Sequence, residues 1–179
     1  TEDEMYNELN ALTGITYTLV SQESDLQDLI KPQYQITLIG FFKDIECQEA
    51  QYFIESSKQL YTSYACGLTT NIDIATTHGV TLPGMKLFRH SDTEVVSSIY
   101  SGTEYTNTTI GTFIQEQGYD LFTTLHPPMY PSYRARGYPI VYVFIDNDNE
   151  QTGELLTMIR SIAESFNKLS FVYVDGNEH

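Results

Sequence analysis

Two cysteines and four histidines are the side chains of this 179-residue chain best suited to nucleophilic or metal-dependent chemistry. Thiol–disulfide exchange needs two thiols at a helix N-terminus. The helix dipole and nearby N–H groups favour the thiolate of the first, and the second resolves the mixed disulfide. Cys47 stands alone near a predicted helix start, in Glu46-Cys47-Gln48-Glu49. The carboxylates of Asp44, Glu46 and Glu49 oppose the dipole there. A partly exposed small side chain is therefore a better reading of Cys47 than a regulatory thiol. Cys66 sits in the alternating stretch Tyr64-Ala65-Cys66-Gly67-Leu68 and reads as an inert core residue. A helix start and a mid-strand position rarely meet disulfide geometry, so both thiols are expected free. Two cysteines also exclude a disulfide-rich scaffold and a four-cysteine zinc site. His78, His90, His126 and His179 are scattered, with no pair at zinc-ligand spacing. They are expected to be solvated loop or helix-end residues. No Gly-x-Ser-x-Gly, Walker loop or Gly-x-Gly-x-x-Gly occurs.

Two further motifs are weaker. Asp146-Asn147-Asp148-Asn149-Glu150 resembles part of a calcium loop, but the sixth-position glycine and the position-twelve glutamate are missing. A loop carrying a helix cap fits it better. Asn107-Thr108-Thr109 is an N-glycosylation sequon, placed before a predicted helix and so expected to be exposed. Tyr119, Phe122, Met129, Tyr130 and Tyr133 form an aromatic and methionine cluster, which taken residue by residue is most simply core.

Composition narrows the function classes. Nine Lys+Arg against 24 Asp+Glu leave a formal net charge of −15. Phosphate contacts need Lys and Arg, so nucleic acid is excluded as a partner, and an anionic membrane surface nearly so. The hydrophobic share of 41%, with 14 Tyr and 9 Phe, is enough for a core. No apolar run reaches the roughly 18 residues of a membrane span. No basic segment followed by an apolar one opens the chain, so a signal peptide is expected to be already removed.

The elements that position these residues fall into two similar halves. Thr37 to Phe42 and Ile140 to Ile145 are short unbroken apolar runs, the pattern of parallel strands buried on both faces. Each is followed by a helical pattern, over 46–61 and 150–168, and then by another strand, over 64–69 and 169–174. A strand and a short helix precede each run: 15–20 and 24–30 in the first half, 121–125 and 131–136 in the second. Ser24 is the expected cap of the first short helix, and Gly137 the residue that ends the second. Both halves thus read β-α-β-α-β with right-handed crossovers. The first continues with a short helix over 72–78, a hairpin of strands 85–89 and 95–100, and a closing helix over 109–117. The second half has no such continuation, and is expected to be part of a larger unit. Residues 2–12 read as an acidic amphipathic helix ended by Gly14.

This order is the thioredoxin arrangement, and the residues carry the resemblance further. Leu38-Ile39-Gly40-Phe41-Phe42-Lys43-Asp44-Ile45-Glu46 looks like the second strand of the first non-catalytic thioredoxin-like (b) domain of a protein disulfide isomerase. Met5-Tyr6-Asn7-Glu8-Leu9-Asn10-Ala11-Leu12-Thr13-Gly14 resembles the last helix of the catalytic domain before it. Gly137-Tyr138-Pro139-Ile140-Val141-Tyr142-Val143-Phe144, with Ala163-Glu164-Ser165-Phe166 downstream, is similar to the opening of the following b′ domain. The resemblance implies an α/β, thioredoxin-like fold. One domain would be complete (15–117, a mixed five-stranded sheet flanked by helices) and one partial (118–179), after a catalytic-domain helix at 1–14.

Catalytic members of that family carry Cys-Gly-His-Cys just after the second strand. Here neither cysteine of the motif is present, and Cys47 falls one position off the nucleophile. No catalytic residue and no cofactor is therefore expected, beyond weak, diffuse Ca²⁺ binding by the acidic surface. Pro83 has the spacing of the family's cis-proline. The family's b′ groove implies that Phe122, Met129, Tyr130 and Tyr133 contact substrate. The expected partners are unfolded secretory polypeptides and catalytic domains of the same parent, in the endoplasmic reticulum lumen. The main rival, also suggested by the fold and the charge, is an acidic calcium-storing thioredoxin-repeat protein of the calsequestrin type.

Overall fold

A computed structural model describes residues 16–31, 36–60, 64–90, 94–125, 130–166 and 168–176. The chain divides after Gly118 into two units. The expected helix over 2–12 and the hairpin turn at Ser91-Asp92 lie outside the described residues.

The first unit runs β1 (Thr18–Leu19), α1 (Glu23–Leu29), β2 (Ile36–Phe41), α2 (Gln48–Leu60), β3 (Ala65–Thr69), α3 (Ile72–Thr77), β4 (Gly84–His90), β5 (Val95–Ile99) and α4 (Asn107–Gln117). Its strands lie in the order β1-β3-β2-β4-β5. β1, β3 and β2 are parallel, with Leu38 opposite Cys66. β4 joins β2 antiparallel, with Gly40 opposite Met85, and β5 pairs antiparallel with β4. Every residue of β2 and β3 is buried, as the unbroken apolar runs require.

Alternation along β2 sorts the two faces. Ile39 and Phe41 pack with Val20, Leu26, Ile74, Ala75, Val80 and Phe88, under α1 and α3. On the other face Gly40 lies beneath Phe53 of α2 and the ring of Phe42, where a Cβ would come within 3.1 Å of Phe53. The Thr37 hydroxyl donates to the Leu29 carbonyl at 2.9 Å and so serves the C-terminal end of α1.

The start of α1 departs from expectation. Its cap is Gln22, and Ser24 falls inside the first turn. Asp25 reaches back instead, accepting the N–H groups of Ser21 at 2.9 Å and Gln22 at 3.1 Å. A carboxylate three residues into the helix satisfies these donors better than a hydroxyl already within the turn. The helix over 46–61 likewise starts later, at Gln48, because Asp44 folds residues 44–47 into a turn. Its carboxylate accepts the Glu46 N–H at 2.8 Å and its carbonyl the Cys47 N–H at 3.3 Å.

The second unit holds β6 (Phe122–Thr124), α5 (Tyr130–Ala135), β7 (Ile140–Ile145), α6 (Thr152–Ser165) and β8 (Ser170–Asp175). Its sheet is wholly parallel, in the order β6-β8-β7. Gly137 follows α5 at φ +79°, the left-handed conformation that a helix-ending glycine supplies. Phe122, Phe171 and Ala163 form the core beneath α6, joined by Val141, Val143, Leu156 and Ile159. β7 does not follow the expectation of burial on both faces. Tyr142 and Phe144 are exposed, because among the described residues β7 pairs with β8 alone and the face they share lacks full cover.

Two outcomes test this packing. A Cβ on Gly67 would meet Ile39 Cδ1 at 2.7 Å and Leu29 Cδ1 at 2.8 Å, so these methyls would have to shift within the packed face beneath α1. Gly67→Ala should destabilise the chain by about 1–3 kcal/mol in urea denaturation, the usual cost of overpacking. The Asp25 carboxyl is held below its ordinary range, first by the Ser21 N–H and then by the Gln22 side chain. A folded-state pKa below the unfolded one gives stability that is complete above the unfolded value and is lost as pH falls through the folded one. The urea midpoint should therefore drop below about pH 4, and Asp25→Ala should show a smaller drop.

Candidate functional site

The turn after β2 and the start of α2 form the place where a thioredoxin-like fold would carry its thiols. Cys47 sits immediately before α2, where its carbonyl accepts the Gln51 N–H at 3.0 Å. It is half-buried and free. Cys66 is free and buried in the middle of β3, and burial pushes its thiol up to about 12. One thiol at a helix start can open a disulfide to a mixed disulfide. A second, reachable thiol is needed to release it, and Cys66 is held protonated within the sheet.

Facing this turn, the Leu82–Pro83 bond is cis. The Tyr105 hydroxyl donates to the Pro83 carbonyl at 2.6 Å. Burial, reinforced by Tyr100 and Glu49, raises the Tyr105 phenol to about 12, so it stays a donor across the physiological range. Its ring packs edge-on against Phe42 at 6.0 Å and Tyr100 at 5.5 Å. Tyr105 thereby ties the Pro83 loop to the end of β2. No pattern in the sequence marked it, because its partners lie about 20 and 60 residues away and one of them is a backbone carbonyl.

The histidines are less solvated than expected. His78 Nε2 lies 3.0 and 3.1 Å from the two Glu23 oxygens. Its ring lies between those of Phe41 and Phe88. Burial raises the Glu23 carboxyl, but the Gln27 and His78 contacts outweigh it and leave the group below its usual range. His90 Nε2 lies 2.6 Å from the Ile30 carbonyl. Both rings serve the α1 face. His126 and His179 lie outside the described residues. Among the described residues no cluster of His, Cys, Asp or Glu is arranged to hold a metal ion. Residues 146–151 form a turn in which Asp146 Oδ1 accepts the Asp148 N–H at 3.0 Å and Asn149 Oδ1 the Gln151 N–H at 2.9 Å. The cap of α6, Gln151, makes no side-chain bond to the helix, so the expected side-chain cap is not formed.

The four residues expected to contact substrate separate. Phe122 is 4% exposed and Tyr133 0%, so both belong to the core of the second unit. Tyr133 packs edge-on against Tyr119 at 5.2 Å. The buried Arg136 guanidinium lies between Tyr119 and Tyr138 and donates to Ser170 Oγ at 2.9 Å. Only Tyr130, 41% exposed, is on the surface, and Met129 lies outside the described residues. The structure places Tyr142 (42% exposed) and Phe144 (73%) on the surface as well. Burial, and then the charge and hydroxyl of Tyr130, raise the Tyr142 phenol above its ordinary range. On α6, Met158, Ile162 and Phe166 are exposed. Sequence reading missed Tyr142 and Phe144 because an unbroken apolar strand looks the same whether one face or both are covered. Asn107 is exposed at the first position of α4. A groove of about 370 Å³ between β5 and α4, lined by Ile99, Tyr100, Thr109, Thr112, Phe113 and Glu116, offers hydrogen bonding but no reactive group.

The thiol geometry gives a direct expectation. In mildly alkaline buffer the native chain should present Cys47 alone to Ellman's reagent, and denaturant should bring the total to two. A denatured chain with no titratable thiol would contradict the free pair.

A family model described as a thioredoxin-like domain matches residues 42–179. The curated protein disulfide-isomerase of Aspergillus niger is 24% identical over 129 residues, which cover 72% of this chain and 24% of that protein. The chain thus spans about a quarter of the length of that relative. Among solved structures, the bb fragment of ERp72 superposes with a TM-score of 0.61 at 16% identity, covering 90% of this chain and 75% of that one. The zinc-bound form of human ERp44 superposes at 0.53 and 11% identity, covering 90% of this chain and 46% of that one. The chain belongs to the thioredoxin-like domain family, and among its members it is similar to the protein disulfide isomerases.

Proposed function

We propose that this chain is a non-catalytic scaffold and polypeptide-binding segment of a protein disulfide isomerase. The parent would form, break and rearrange disulfides of secretory proteins in the lumen of the endoplasmic reticulum. The observation that carries the reading is a thioredoxin-like sheet with a single thiol before α2, Cys47, while Cys66 is buried in β3. Tyr130, Tyr142 and Phe144 of the second unit are the exposed rings that a client would meet. Aromatic rings give large contact area for little lost side-chain freedom, and they accept varied partners. Met158 on α6 adds an adaptable thioether to the unit's exposed apolar side chains.

The rest of the chain suits the same role. The first unit keeps the sheet and both helix layers of its family and offers one thiol, so it supplies rigidity and spacing. Catalytic domains of the same parent supply the exchange chemistry. A net charge of −15 keeps a surface with exposed rings dispersed while it holds sticky clients. Ca²⁺, where present, would meet that charge as a diffuse cloud of counterions.

The test is binding of a reduced, alkylated and therefore permanently unfolded polypeptide, followed by fluorescence anisotropy. The double variant Tyr142→Ser, Phe144→Ser alters only exposed side chains and should fold normally. Its dissociation constant should rise about tenfold, equivalent to about 1.4 kcal/mol. An unchanged constant would reject these rings as the binding surface.

A further inference from the structure

Asn107-Thr108-Thr109 carries chemistry that neither the fold nor polypeptide binding uses. Asn107 is exposed, as the first residue of α4 after the Thr106 cap. Its Oδ1 lies 2.6 Å from the Ser56 hydroxyl, whose one proton it shares with the Tyr52 carbonyl at 2.9 Å, and this contact holds one side of the carboxamide against α2. Among the described residues no partner engages Nδ2, the atom on the other side. The nitrogen that would carry a sugar is therefore available in the folded chain.

The third residue of the sequon is not. The Thr109 hydroxyl accepts the Thr106 N–H at 2.9 Å and donates to the Glu104 carbonyl at 2.8 Å. The Thr106 hydroxyl in turn accepts the Thr109 N–H at 3.2 Å. At 3.6 residues per turn, side chains two positions apart point about 200° apart around the helix axis. An enzyme that reads the carboxamide and the hydroxyl as one feature finds them on opposite sides of α4, with the hydroxyl engaged in the cap. The sequon is legible only while this segment is unfolded.

We propose that Asn107 is an N-glycosylation site that is used before α4 closes, on the emerging chain. This rests on the endoplasmic reticulum setting given above. The donor is an oligosaccharide carried on a polyprenyl diphosphate. A bond forms between Asn107 Nδ2 and the anomeric carbon, and the bond from that carbon to the diphosphate oxygen breaks. The lipid diphosphate leaves with the electron pair, and the amide gives up one proton to the transferase. The finished glycan stands at the end of α4 where Ser56 joins it to α2.

The test separates the site from the setting. The chain is translated behind a cleavable signal sequence with microsomes, which forces entry whatever its natural address. Protease-protected chains should show one endoglycosidase-sensitive mobility step that Asn107→Gln abolishes. The purified folded chain, offered to solubilised microsomal membranes with the lipid-linked donor, should stay unmodified. Ile110→Asp leaves the sequon intact but puts a carboxylate at a fully buried position of α4, and should raise modification of the purified chain severalfold; unchanged modification would overturn the timing. Protected chains without the step would overturn the site. A folded wild-type chain modified as fully as the nascent one would overturn the timing. A native parent found outside the secretory pathway would instead overturn the setting, and leave the microsome result standing.

Discussion

Every residue of β2 and β3 is buried, and that demand organises the first unit. Two parallel strands with no solvated face need cover on both sides. Cover on one side comes from α1 and α3 through Leu26, Leu29, Ile74 and Ala75, and on the other from α2 through Phe53. Antiparallel β4 then closes the open edge of β2, where Leu38 faces Leu87. Backbone pairing and apolar burial carry all of this. None of it uses a reactive thiol, since Cys66 serves only as a buried side chain of β3. The architecture therefore does not depend on a reactive sulfur pair.

The same argument separates the turn before α2 from the sheet that carries it. In this fold a reactive pair would stand there, where aligned N–H groups favour negative charge. Here the Asp44 carboxylate organises the turn by accepting the Glu46 N–H, and Cys47 contributes a backbone carbonyl to the first turn of α2. The cis bond at Pro83 and its hydrogen bond from Tyr105 remain beside it. Tyr105 reaches Phe42 and the Pro83 carbonyl from the segment before α4, so three separate stretches of chain meet there.

The fold was legible because strongly periodic and unbroken apolar segments have few places to go. The runs at 37–42 and 140–145, each followed by a one-faced helix, could belong only to parallel crossovers, and both were found. Helix starts were less legible. Whether Ser24 or Gln22 caps α1 depends on which side chain reaches back, and Asp25 decides it. The exposed surface of the second unit was hardest to read. Phe122 and Tyr133 have the same residue types as Tyr142 and Phe144, yet the first pair is core and the second is surface. That difference is set by whether a neighbouring element covers the position, which composition does not encode.

The account stands on an architecture kept without the sulfur pair that would give it redox turnover. Insulin reduction by the chain itself, with dithiothreitol as the reductant and turbidity as the readout, measures that directly. The predicted trace overlays the dithiothreitol control and does not change in Cys47→Ser. Catalytic precipitation that disappears in Cys47→Ser would show that the remaining thiol turns over, and would contradict the account.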